Sequence, residues 1–132
     1  MPLVEYKNLT IARKRGPIPI VPFTRIKEVI LGKTYNLSIV FCTKEESKLQ
    51  NKIYRNKDYP TDILSFPLSK NEGEIYIPLS MVRAEAKKFA MSYKKFLHFL
   101  IIHGMLHLKG YKHSSTMEGL EDKYLNKFFR GT

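Results

Sequence analysis

His103, His107 and His113 are three of the chain's four histidines, and they stand close together in sequence at metal-ligand spacing. Two imidazoles four residues apart lie about 40° apart around a helix, so His103 and His107 project from one face within reach of a single ion. Gly110 follows where that helix should end. A glycine takes positive φ without steric cost and turns the backbone so that His113 returns as a third ligand. Three neutral nitrogens leave one position of a tetrahedron open, whereas structural zinc sites are closed by four protein ligands. The spacing therefore predicts one divalent ion, zinc first among the metals, in a site built for chemistry.

The same run matches the long zinc-protease signature HExxHxxGxxH at every position but one, because Gly104 stands where the protease carries its glutamate base. The metal claw is expected without the peptidase chemistry. His98, five residues before His103, lies about 140° away around the helix and is expected to pack or hydrogen-bond, not to ligate.

A chain of 132 residues with 43% hydrophobic content suits one compact domain spanning 1–132. The longest apolar run, Phe96 to Leu108, falls short of the ~20 residues of a membrane span and contains histidines. Met1 to Tyr6 lacks a signal-peptide pattern. Cys42 is the single cysteine; its apolar neighbours suggest a buried thiol in a reducing cytoplasm. The formal charge of +11, from 23 Lys and Arg against 12 Asp and Glu, favours a polyanionic partner, nucleic acid first and acidic lipid or protein after it. Basic runs recur at Arg13-Lys14-Arg15, Lys52 with Arg55 and Lys57, Lys87-Lys88 and Lys94-Lys95. Lys109 and Lys112 lie inside the metal motif, where positive charge would meet a substrate.

The elements that must hold the histidines follow from periodicity and caps. Strands are expected at Leu3 to Tyr6, Asn36 to Cys42, Ile63 to Phe66 and Glu74 to Ile77. Pro17, Pro19 and Pro22 mark a turn-rich link before a helix over Phe23 to Leu31. Thr43 with Glu46 reads as a capping box for a helix towards Tyr54. Helices are then expected over Ser80 to Ala90, from a Ser92 cap to Leu108, and from a Ser115–Glu118 box onward. The class is α+β, with the metal site at the end of a central helix that is apolar almost all round.

The His103 to His113 stretch resembles the metal motif of the YbeY endoribonuclease family. The resemblance extends to Asn51, Tyr54, Arg55, Lys57, Asp58 and the run Pro60 to Pro67, to Gly73, Glu74, Ile75 and Ile77, and to the acidic and hydrophobic helix from Met117 to Leu125. It implies a mixed sheet of about four strands packed with helices and metal-dependent cleavage of single-stranded RNA, in ribosomal RNA processing at the small-subunit 3′ end. Ribosomal proteins and assembly factors are implied as partners, with no membrane. Such an ion lowers the pKa of water towards ~7 and polarises a phosphoryl oxygen, so His107 is counted as catalytic as well as ligating. Arg55 is expected to contact phosphate and offset developing charge, or else to form a surface pair with Asp58 or Asp62. Asp58 and Glu118 could transfer protons, and Thr61 and Asp62 read as turn and strand-start residues. The chain departs from the family at Lys112 and Glu74, where aspartates are usual; Lys112 becomes a candidate RNA contact. Two other classes stay open: a metal hydrolase of another substrate, and an RNA-binding factor with a structural metal.

Overall fold

The computed structural model describes residues 3–13 and 17–130. Strands β1 (Leu3–Tyr6) and β2 (Leu9–Arg13) are followed by helix α1 (Phe23–Ile30), strand β3 (Asn36–Cys42) and helix α2 (Lys44–Arg55). Strands β4 (Leu64–Ser69) and β5 (Glu72–Pro78) precede helices α3 (Leu79–Lys88), α4 (Tyr93–Lys109) and α5 (Ser115–Phe128). One sheet joins all five strands in the order β1-β2-β3-β5-β4, with β2, β3 and β5 parallel and the two outer pairings antiparallel. The α+β expectation holds, and the sheet has one strand beyond the four read from sequence. The added strand is β2, which pairs with β1 through a turn in which Asn8 adopts φ 63°, a left-handed conformation that asparagine tolerates. Of the basic run at Arg13, Lys14 and Arg15 lie outside the described residues.

Caps set the helix boundaries. The Glu46 N–H donates to Thr43 Oγ1 at 3.2 Å, and the Thr43 hydroxyl donates to the Glu46 carboxylate at 3.2 Å. Ser92 Oγ accepts from the Lys95 N–H at 3.1 Å, as expected for α4. The cap of α5 is corrected by one residue: Ser114, not Ser115, accepts from the Met117 N–H at 3.2 Å.

Helix α4 is the centre of the core. Leu97, Ile101, Ile102 and Met105 are fully buried, and α1, α3 and α5 all pack against this helix. Its face over the sheet includes Gly104, where an added Cβ would stand 2.8 Å from Ile63 Cδ1 and 3.1 Å from Ile75 Cδ1. The position that holds glutamate in the protease signature thus points into the sheet, where any side chain would displace these isoleucine ends. Glu74 adjoins Ile75 in β5 and therefore faces the opposite side of the sheet, which α2 covers through Tyr54 stacked on Phe66 at 4.2 Å. That departure from the family pattern lies away from the metal helix.

Two lysines are absorbed by the fold. Lys109 Nζ donates to Ile30 O at 2.9 Å, and the buried Lys27 Nζ donates to Lys33 O at 2.8 Å. The first satisfies a carbonyl in the last turn of α1, where cations are favoured, and the second a carbonyl of the turn that follows it. Lys109 therefore ties α4 to α1, and the expectation that it meets substrate is replaced by a structural role. Cys42 is buried at the end of β3. Among the described residues no helix is long and apolar enough to cross a membrane.

Candidate metal centre

The end of α4 delivers the histidines as the spacing requires. Gly110 caps the helix with φ 113°. Its N–H donates to His107 O at 3.0 Å, and the Tyr111 N–H donates to Leu106 O at 3.1 Å. The chain is thereby reversed, Ser114 starts α5, and His113 is held between the two helix ends. One nitrogen from each of His103, His107 and His113 lies within 4.8 Å of the others, with His103 and His107 half-buried and His113 exposed.

The ring nitrogens of two of these residues are sorted by their partners. His103 Nδ1 lies 2.5 Å from Glu121 Oε2, and His107 Nδ1 lies 2.9 Å from Tyr111 O. A carbonyl and a carboxylate only accept, so both Nδ1 atoms carry a proton, and in the neutral rings both Nε2 atoms present lone pairs. Those Nε2 atoms face each other at 3.1 Å. Two ligands about 2.0–2.1 Å from one tetrahedral ion would stand roughly 3.3 Å apart, so the donors fit a small divalent cation. Burial lowers the His107 pKa, and the charges of His103, His113 and Arg55 press the same way against a raising effect of the Tyr111 carbonyl. The balance keeps this imidazole neutral, the state a ligand needs.

Glu121 was missed in the sequence. It lies on the buried stripe of α5 with Met117, Leu125 and Phe128, and a carboxylate at an apolar position of that period was the available signal. It orients the ring of His103, as carboxylates do behind metal-binding imidazoles. A carboxylate behind a ligand is thus present, supplied from α5 and not from position 112.

Arg55, the last residue of α2, is exposed and donates from Nη2 to Ser65 O on β4 at 3.2 Å. Its charge is one of the smaller influences that lower the His107 pKa. Asp58 instead faces Lys48 at 4.0 Å. Glu118 is exposed in the first turn of α5. Lys112 is exposed beside His113, with its carbonyl accepting from the Ser114 hydroxyl at 3.0 Å. His98 is buried, donates from Nδ1 to Lys94 O at 2.7 Å and meets the Phe129 ring edge-on at 5.0 Å; it is a packing residue outside the cluster. Asp62, read from sequence as a turn residue, lines a cavity together with His103. Burial raises its pKa and Glu85 adds to the rise, while the His103 imidazole and backbone N–H groups oppose it.

Three imidazoles converging from one helix end and the turn after it, with a carboxylate behind one of them, place this α+β domain in the class of three-histidine metal-site proteins. The sequence model of the family described as Endoribonuclease YbeY matches residues 21–129. The chain belongs to the YbeY endoribonuclease family. It is 38% identical over 95 residues to the Endoribonuclease YbeY of Thermotoga neapolitana, a match spanning 71% of this chain and 60% of that protein. The Thermosipho melanesiensis relative of the same name is 34% identical over 108 residues, 76% of this chain and 78% of that one. That of Staphylococcus epidermidis is 33% identical over 128 residues, 83% and 82% of the two chains. The fold is also similar to the solution structure of TM1509 from Thermotoga maritima, with a TM-score of 0.61, 29% identity, and coverage of 89% of this chain and 87% of that one.

Proposed function

We propose that this protein is a zinc-dependent endoribonuclease that cuts single-stranded RNA, acting in the cytoplasm on ribosomal RNA at the small-subunit 3′ end, with ribosomal proteins and assembly factors as neighbours. The observation that carries the reading is the sorted imidazole pair, with both Nδ1 protons directed outward and both Nε2 atoms inward, under the positive charge of Arg55. The names of the relatives point to the same activity, and the net charge of +11 suits a polyanion. An all-nitrogen, three-ligand site favours zinc over the oxygen-seeking magnesium and calcium.

His103, His107 and His113 would hold the ion, which supplies Lewis acidity towards a phosphoryl oxygen and lowers the pKa of water when bound. Glu121 and the Tyr111 carbonyl keep two rings in the ligating tautomer. Arg55 contacts the substrate phosphate and offsets charge as it develops. Lys112 draws the strand towards the site. Peptide hydrolysis is disfavoured because Gly104 faces Ile63 and Ile75, whose side chains a glutamate base would displace.

The test is cleavage of a defined single-stranded RNA by zinc-loaded protein, with chelated protein and His107→Ala as controls and casein as the competing substrate. RNA cleavage lost in both controls is expected. Metal-loaded protein that leaves the RNA intact would reject the reading.

A further inference from the structure

A cavity of about 250 Å³ adjoins the histidine cluster and shares His103 with it. Its wall combines phenyl rings with Ile63, Met91 and Leu100. Phe96 stacks against Phe89 at 5.4 Å and against Phe99 at 6.0 Å, with planes 20° and 17° from parallel, and Phe99 stands 5.7 Å from the His103 ring. These near-parallel rings run from the surface to the metal ligand. Phe89, at the outer end, is 60% exposed, an arrangement that core packing does not require.

Into this wall the chain sets one acid, Asp62. Its backbone is fixed through Thr61, whose carbonyl accepts from the buried Ser47 hydroxyl at 2.7 Å and whose N–H donates back to it at 3.1 Å. Backbone N–H groups of Asp62 and Ile63 bond this carboxylate, and with about four acceptor sites it keeps capacity for donors from a ligand in the cavity. A ligand with a flat apolar body and hydrogen-bond donors on one edge answers both features at once, and bases stack on aromatic rings whatever their sequence.

Building on the endoribonuclease reading, we propose that this cavity is a nucleobase pocket for the nucleotide beside the cleaved phosphate, and that Asp62 makes it select guanine. Guanine alone presents two adjacent donors on its Watson–Crick edge, N1–H and the N2 amino group, which match the two oxygens of a carboxylate. Adenine and cytosine offer a single amino group there. Uracil flanks its one N–H with carbonyls that would oppose the acid. Because His103 borders both the cavity and the ion cluster, base and phosphate of one nucleotide can be served together.

The experiment uses zinc-loaded full-length protein and a set of single-stranded RNAs identical except for one central position carrying guanine, adenine, cytosine, uracil or an abasic site. Rates at the bond beside that position are followed together with the metal content of each variant. Wild type should cut beside guanine about tenfold faster than beside uracil, the scale that a bidentate base contact supports, and the abasic site should raise KM. Asp62→Asn, still metal-loaded, should bring the guanine-to-uracil ratio close to one. Phe89→Ala, at an exposed position, should raise KM while the ratio is retained. Efficient RNA cleavage with no base preference, or an unchanged ratio in Asp62→Asn, overturns the pocket while the nuclease reading stands. No RNA cleavage by metal-loaded wild type overturns both.

Discussion

The Nε2 atoms of His103 and His107 face each other across 3.1 Å while their Nδ1 protons are committed to Glu121 and to the Tyr111 carbonyl. Two lone pairs at that distance repel unless a cation, either a metal ion or a second proton on one ring, lies between them or one ring exchanges its proton. The outer hydrogen bonds oppose the exchange. The pair is therefore preorganised for an ion, on a helix whose packing holds it in place.

From this follows a prediction for Glu121. Glu121→Gln keeps the volume and a hydrogen-bond acceptor but removes the charge behind His103, and zinc affinity should fall about 10–100-fold. Competition against a chromophoric chelator measures it. Affinity equal to wild type would show that the carboxylate does not act on the metal through the ring.

Arg55 should separate from metal retention. Arg55→Ala removes an exposed side chain whose hydrogen bond is to one backbone carbonyl, so the fold and zinc content should survive. Turnover on RNA should drop on the order of 10²–10³-fold, as for loss of one donor to developing charge. Single-turnover cleavage with parallel metal analysis is the check, and full activity would return Arg55 to a purely structural contact.

The histidine cluster could be read in the sequence because a helix converts the separation of His103 and His107 directly into a shared face, and Gly110 announces the reversal that brings back His113. Strand β2 could not be read as easily: its buried residues Leu9 and Ile11 form a short alternation that runs into a basic stretch. Glu121 and Asp62 come from α5 and from the loop before β4; the stripe of α5 marks Glu121 as buried, but no spacing in sequence links either residue to His103. Lys109 was misplaced for the same reason, since its partner, the Ile30 carbonyl, belongs to another helix.

Gly104 gives a stability prediction. Restoring the protease pattern with Gly104→Glu would drive a carboxylate between Ile63 and Ile75, and the unpaired buried charge should cost on the order of 3 kcal/mol or more. Urea unfolding should show the loss, with no gain of casein hydrolysis. Wild-type stability would mean that the helix does not press on the sheet there.

His98 sets a pH dependence away from the metal ligands. Burial is the main cause that lowers its pKa, and Lys94 contributes through its charge against the raising effect of its carbonyl. The folded state thus holds the ring neutral where the unfolded chain, near 6.5, begins to take up protons. Its contribution to stability is present above that value and is lost as pH falls through the folded pKa. In chelator, wild type should lose stability more steeply below about pH 6.5 than His98→Asn, whose amide can still donate to the Lys94 carbonyl. Equal slopes from denaturant titrations across pH would remove His98 from the acid response.

Lys112 adds positive charge beside His113, and its side chain is exposed while its carbonyl is tied to Ser114. Backbone position and metal geometry should therefore survive its replacement, leaving charge as the variable. Each phosphate contact releases condensed counterions, so losing one should reduce the magnitude of the slope of log affinity against log salt by about 0.7 on a single strand. Lys112→Ala and Lys112→Asp, kept zinc-saturated, should both bind RNA more weakly at low salt, the aspartate more so, and converge on wild type as salt rises. Unchanged affinity and slope in both variants would make Lys112 a solvated lysine with no part in substrate capture.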